Sequence, residues 1–146
     1  MECRIGIDYG DVRTGVAVCY GTGPALPLCT VDSSAGRKNT ARLVADIIKE
    51  KNAVAAVVGY PLNMDGSSGK RIVKTEKFAR ALSETLAAEG LDAFPVFFQD
   101  ERLTSVAAEK MIRSAEGAAP RKGDVDRIAA VIILQDYIDS LKGEKK

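Results

Sequence analysis

Histidine is missing from the chain altogether, and with it go histidine general bases, Ser-His-Asp triads and imidazole metal sites. Tryptophan is missing too, and aromatics make up only 5% of the 146 residues, so the core has to be built from Val, Ile, Leu and Ala. Cysteine is scarce and odd in number. Cys3, Cys19 and Cys29 show no C-x-x-C spacing and lie in or beside predicted strands, where a small buried thiol is expected rather than a ligand or nucleophile. That usage fits a reducing cytoplasm. Neither sign of charge dominates (net +1), so any nucleic-acid footprint has to be local. No apolar run approaches membrane-spanning length and the N-terminus carries no apolar signal region, so no membrane partner is expected. Chemistry is left to carboxylates, Lys, Arg, Tyr, Ser, Thr and Cys.

What is present is the balance of an ordinary soluble protein, 46% hydrophobic and 28% charged. The expected organisation is one domain over residues 1–141, followed by a flexible tail over 142–146, with no internal repeat or linker. The chain is organised around Arg4 to Tyr20, which reads as two short strands and a tight turn. Arg4-Ile5-Gly6-Ile7 leads into Asp8, and Thr14 to Tyr20 returns through alternating Val16 and Val18. Between them Gly10 is expected to take turn angles that other residues avoid. Asp8 is the anomaly, a carboxylate ending an apolar strand, where a charge needs a cation or donors. Gly6, Gly10 and Gly15 around it are read as room for a ligand to approach the backbone. The alternative is that Asp8 only caps the strand.

A third strand runs from Leu26 to Val31, with Pro27 marking an edge. Leu43, Val44, Ile47 and Ile48 recur at helical spacing with charges between them. Ala53 to Gly59 is a short apolar run bounded by breakers, a buried parallel strand. The polar loop Tyr60 to Gly69 follows at its carboxyl end, where open α/β sheets bind ligands. The next helix, from about Gly69 to Glu89, buries Phe78, Ala79, Leu82 and Leu86 and carries Lys70, Lys74 and Lys77 as a basic stripe. Such stripes are ordinarily solvated surface, but this one starts beside the polar loop. The fifth strand, Phe94 to Gln99, ends in Asp100-Glu101-Arg102. Thr104 or Ser105 caps a helix carrying Ala107, Ala108, Met111 and Ile112 inward. A small-residue loop with Arg121 and Lys122 precedes the last helix, which starts near Asp124-Val125-Asp126 and reaches Leu141. Its apolar run, Ile128 to Leu134, predicts burial nearly all round.

Three successive strands predict an antiparallel meander, and the alternating remainder predicts parallel crossovers into the same sheet: an α/β fold. With the first and fourth strands adjacent, Asp8, the loop after Gly59 and the end of the fifth strand converge, and the last helix delivers Asp126. Carboxylates without His or Cys suit a hard cation, Mg²⁺ or Mn²⁺. A pair of such ions about 3.5–4 Å apart activates water and stabilises a leaving oxygen.

The segments IGIDYGDVRTGVAV, VVGYPLNMDGSSG, DERLTS and KGDVDRIAAVIILQDYI, in that order over nearly the whole chain, resemble the YqgF/RuvX family. That family is described both as Holliday junction resolvases and as pre-16S rRNA nucleases. The resemblance implies an RNase H-like fold, a five-stranded mixed sheet flanked by helices. It implies that Asp8, Glu101 and Asp126 are the catalytic and metal-binding acids, with Asp100 in reserve for Glu101 and Asp124 incidental. It departs mildly from the family pattern at Tyr60, Asp11 and Thr14, and no acid is lost. Chemistry adds Arg102, Lys122, Arg121, Arg13, Asn63, Lys70 and Lys74 as contacts to nucleic acid, each with a salt bridge or cap as its structural alternative.

The expected activity is metal-dependent phosphodiester hydrolysis, in 5′-end maturation of precursor 16S rRNA. The alternative keeps the nuclease and makes branched DNA the substrate. A nucleic-acid- or protein-binding module without catalysis is a reading of another class. The Asp8-to-Val16 hairpin also resembles the phosphate-contacting hairpin of sugar kinases and actin-like ATPases, which need a second domain to close over the nucleotide. The working state, monomer or homodimer, is left open by the sequence.

Overall fold

The computed structural model describes residues 1–61, 69–100 and 122–144, with side chains of the last segment described from 125 to 141. The helix expected after Thr104 lies outside these residues. The elements are β1 (Cys3–Asp8), β2 (Arg13–Tyr20), β3 (Leu26–Asp32), α1 (Arg37–Glu50), β4 (Ala55–Tyr60), α2 (Lys70–Ala88), β5 (Val96–Asp100) and α3 (Lys122–Glu144). The strands form one sheet in the order β3-β2-β1-β4-β5. β1 pairs antiparallel with β2 and parallel with β4, and β5 runs parallel to β4. This is the predicted mixed sheet, and the strand holding Pro27 is an edge. The β2–β3 ladder slips between Val16 and Ala17, so Cys29 and Pro27 face consecutive residues of β2.

Alternation along the strands sorts the side chains between two apolar layers. Ile5, Ile7, Val16, Val18 and Val58 pack with Val44 and Ile48 of α1 and Phe78, Leu82 and Leu86 of α2. Ala17, Cys19 and Val57 point the other way, onto Ala130, Ile133, Leu134 and Ile138 of α3. The inward stripe of α1 is centred on Ala41, Val44, Ala45 and Ile48, and Leu43 and Ile47 sit half-buried at its margin. Phe78 is fully buried and stacks on Tyr9 with ring centroids 4.4 Å apart, which ties α2 to the end of β1.

α3 departs from the expectation of burial nearly all round. Ala129, Ala130, Ile133 and Leu134 are buried, while Ile128, Val131 and Ile132 are half-buried, because the helix rests one face on the sheet. It also continues to Glu144, past the Leu141 at which the sequence pattern ends it. Among the described residues, no helix is long and apolar enough to cross a membrane. Cys3 and Cys19 are buried thiols and Cys29 is half-buried, and burial pushes the Cys3 and Cys29 thiols above their ordinary pKa.

Candidate active site

The site is assembled by a helix pressed onto glycine. Asp8 faces Gly15 across the β1–β2 ladder, so the two share one side of the sheet. It is the side that α3 covers. A Cβ at Gly15 would overlap the backbone carbonyl of Asp126, and one at Gly6 would lie 2.6 Å from Leu134 Cβ and 2.9 Å from the Ala130 carbonyl oxygen. The first turns of α3 therefore lie directly on the strand pair at Asp8. The space read from sequence as room for a ligand is filled, at Gly6 and Gly15, by this helix. Gly10 differs again: it is not among the positive-φ residues, and its lack of a side chain is needed because a Cβ would overlap the Arg13 carbonyl.

Asp126 arrives on this face with a partner. Arg13, the first residue of β2, donates from Nε to Asp126 Oδ2 at 2.9 Å, with the two side chains 38% and 20% exposed. Burial raises the Asp126 pKa, and the Arg13 hydrogen bond and charge, with Arg127 behind them, offset it only in part. A carboxyl whose folded pKa lies above its unfolded one contributes stability that is complete at acid pH and is lost as pH rises through the folded value. At neutral pH the ionised Asp126 is therefore a cost to the fold. Asp126→Asn, which keeps shape and an acceptor for Arg13, is expected to melt at pH 7 at the same or a higher temperature than the parent. A drop of several degrees would show the ion pair to be a net anchor.

The turn that carries Arg13 is braced from below by buried hydroxyls. Thr14 Oγ1 and Ser33 Oγ lie 2.6 Å apart, with both residues essentially inaccessible. The Gly10 amide donates to Thr14 Oγ1 at 3.4 Å, and the Ser33 amide donates to the Val12 carbonyl at 2.8 Å. Thr14, noted in the sequence only as a departure from family pattern, thus fixes the hairpin from which Arg13 projects.

The remaining candidates separate. Lys74 donates to Asp11 Oδ2 at 2.7 Å, an exposed pair on the α2 side of the sheet. Lys70 starts α2 and is exposed. Arg71, which the sequence did not single out, joins Lys74, Asp11 and Tyr9 around a hollow of about 30 Å³. Its only signal was its place between Lys70 and Lys74. Asp100 ends β5 in register with Tyr60. Along β5, Val96 packs with the α1–α2 layer and Phe97 stacks on Tyr137 of α3. Alternation then places Asp100 with Val96 and Phe98, on the face opposite to α3. Tyr60 itself bonds Glu76 of α2 at 3.1 Å and meets the Phe98 ring edge-on. Asn63, Glu101, Arg102 and Arg121 lie outside the described residues, and Lys122 is described only as the first residue of α3.

Among the described residues no three His, Cys, Asp or Glu side chains gather as a metal cage. Asp8 and Asp126 offer oxygen donors alone, the donor type that suits a hard divalent cation, and Asp126 Oδ2 is already engaged by the Arg13 guanidinium.

A family model described as RuvX, Holliday junction resolvase, matches residues 2–140. A protein of Ruminiclostridium cellulolyticum named "Putative pre-16S rRNA nuclease" is 38% identical over 144 residues, 97% of each chain. A Pseudomonas fluorescens protein of the same name is 40% identical over 146 residues, 98% of this chain and 96% of its own. Among solved structures, T. thermophilus RuvC in complex with a Holliday junction substrate matches with a TM-score of 0.62 at 17% identity, over 98% and 97% of the two chains. A fowlpox virus resolvase bound to Holliday junction DNA matches at 0.56 and 14% identity, over 95% and 98%. At those identities the likeness is one of fold, and the fold is that of the RuvC-like, RNase H-like resolvases. With a family model spanning nearly its full length and relatives close to 40% identical end to end, the chain belongs to the RuvX family.

Proposed function

We propose that the chain is a metal-dependent nuclease that hydrolyses phosphodiester bonds in 5′-end maturation of precursor 16S rRNA in a bacterial cytoplasm. The observation that carries this reading is the seating of Asp126 on Gly15, which brings a second acid to the strand pair that ends in Asp8. The names of the full-length relatives supply the substrate. Asp8, Asp126 and Glu101 are proposed to hold Mg²⁺ or Mn²⁺. Asp100, on the opposite face by alternation, is the weaker candidate for the third acid. The cation's contribution when bound is to polarise the attacking water and to stabilise the leaving oxygen.

The chain's own residues do the rest. Gly15 sets the distance between helix and hairpin. Arg13 orients the Asp126 carboxylate and is proposed to meet the scissile phosphate. Lys70, Lys74 and Arg71 offer a basic flank on the other side of the Asp8 turn for the continuing backbone, with Asn63, Arg102, Arg121 and Lys122 as further proposed contacts.

The test is cleavage by the purified protein in Mn²⁺ of two substrates side by side, precursor 16S rRNA and a four-way DNA junction. Shortening of the rRNA 5′ end with the junction left intact is expected. The reverse result would move the assignment to branched DNA, a reading favoured by the junction complexes among the structural neighbours. Binding of either substrate without cleavage would favour a non-catalytic module.

A further inference from the structure

We infer that Arg13 couples cation binding to substrate binding: its guanidinium holds Asp126 while no cation is bound and passes to a substrate phosphate when a divalent ion takes that carboxylate. The inference rests on the proposed role of Asp8 and Asp126 as ligands.

Three features point to it. The bond is short and well placed, Nε to Oδ2 at 2.9 Å, and it spans 113 residues of sequence, so it forms only once α3 is seated. Neither partner is free to drift far. Arg13 is the first residue of β2, paired with Asp32 and followed by the buried Thr14–Ser33 hydroxyl pair. Asp126 is fixed by its own backbone against Gly15. The Arg13 side chain is nonetheless 38% exposed, enough for it to leave the carboxylate for an incoming anion. A divalent ion on Asp126 would stand beside a permanent positive charge in a part-buried place, where the two repel far more than in water. A phosphate resolves the conflict, because it accepts Arg13 in a bidentate geometry and brings negative charge to the cation. By linkage, whatever factor the nucleic acid adds to cation affinity the cation adds to nucleic-acid affinity.

The experiment is calorimetric titration of Mn²⁺ into the full chain, alone and with a short phosphorothioate RNA that resists cleavage. In the parent, weak Mn²⁺ binding should tighten roughly tenfold or more when the RNA is present. Arg13→Gln should bind Mn²⁺ roughly tenfold tighter without RNA and gain little from it. Arg13→Lys keeps the charge but not the fork, so its affinity for Mn²⁺ alone should match the parent while most of the RNA-dependent gain is lost. Arg13→Gln binding Mn²⁺ no tighter than the parent, or keeping the full gain from RNA, would overturn the coupling. Should Arg13→Gln fail to fold, Arg13→Lys decides by the RNA-dependent gain alone: its loss supports the coupling and its full retention overturns it. Mn²⁺ binding that is indifferent to Asp126→Asn would instead sink the ligand assignment, and with it both readings.

Discussion

Asp8→Asn should lower the rate of precursor rRNA cleavage on the order of a thousandfold or more, while the protein still folds and melts near the parent temperature. Asn keeps the size of the side chain and one acceptor oxygen, so the β1–β2 ladder and the contact of α3 with Gly15 are left in place. What is lost is the anionic oxygen, and a hard divalent cation binds carboxylate far better than amide. Mn²⁺ binding measured on the same sample should fall in parallel. Substantial cleavage by the variant would remove Asp8 from the chemistry and reinstate it as a strand cap. A large fall in melting temperature would show that its charge is needed for the fold itself, as would be the case if its hydrogen-bonding partners anchor the turn.

Gly15→Ala is expected to be the most damaging single methyl in the described structure. The new Cβ would overlap the Asp126 carbonyl oxygen and crowd the Arg127 amide, both backbone atoms of α3, so no change of side-chain rotamer relieves it. The helix has to lift at its first turn. Overpacking against a rigid element costs about 3 kcal/mol, and for a chain of this length that corresponds to a melting temperature lower by roughly 10 °C. The functional loss should exceed the loss of stability, because the displacement carries Asp126 away from the strand pair that ends in Asp8 and from Arg13. Measured below the melting transition, where the variant is folded, Mn²⁺ affinity and cleavage should both be severely reduced. A Gly15→Ala protein with parental melting and parental Mn²⁺ affinity would mean that α3 is not seated on β2 in solution.

Much of the architecture was legible because its signals are local. Period-2 alternation in Arg4 to Tyr20, the apolar run at Ala53 to Gly59 and the breakers between them fix the strands, and Pro27 marks the edge. The inward positions of α2 follow from 3.6-residue spacing, and Phe78, Ala79, Leu82 and Leu86 are buried as that spacing requires. Less legible was the reach of α3. A continuous apolar run records hydrophobicity and not which side a neighbour covers, so Val131 and Ile132 were placed deeper than they lie. The glycines were recognised as a place of close approach, but a missing side chain does not say what approaches. At Gly6 and Gly15 it is a helix more than a hundred residues further along the chain.

The sequence by itself narrowed the chemistry available to this protein: without histidine it rests on carboxylates, Lys, Arg, Tyr, Ser, Thr and Cys, and the four motifs in order specify the family. Tertiary structure alone decided which acids share a face of the sheet. Asp8 and Asp126 share a face because residues opposite one another on an antiparallel ladder point the same way and α3 lies on that face, whereas alternation along β5 turns Asp100 to the other side. It alone paired Arg13 with Asp126. An ion pair between residues so distant in sequence has no local signature, since it exists only after the sheet and helix have packed.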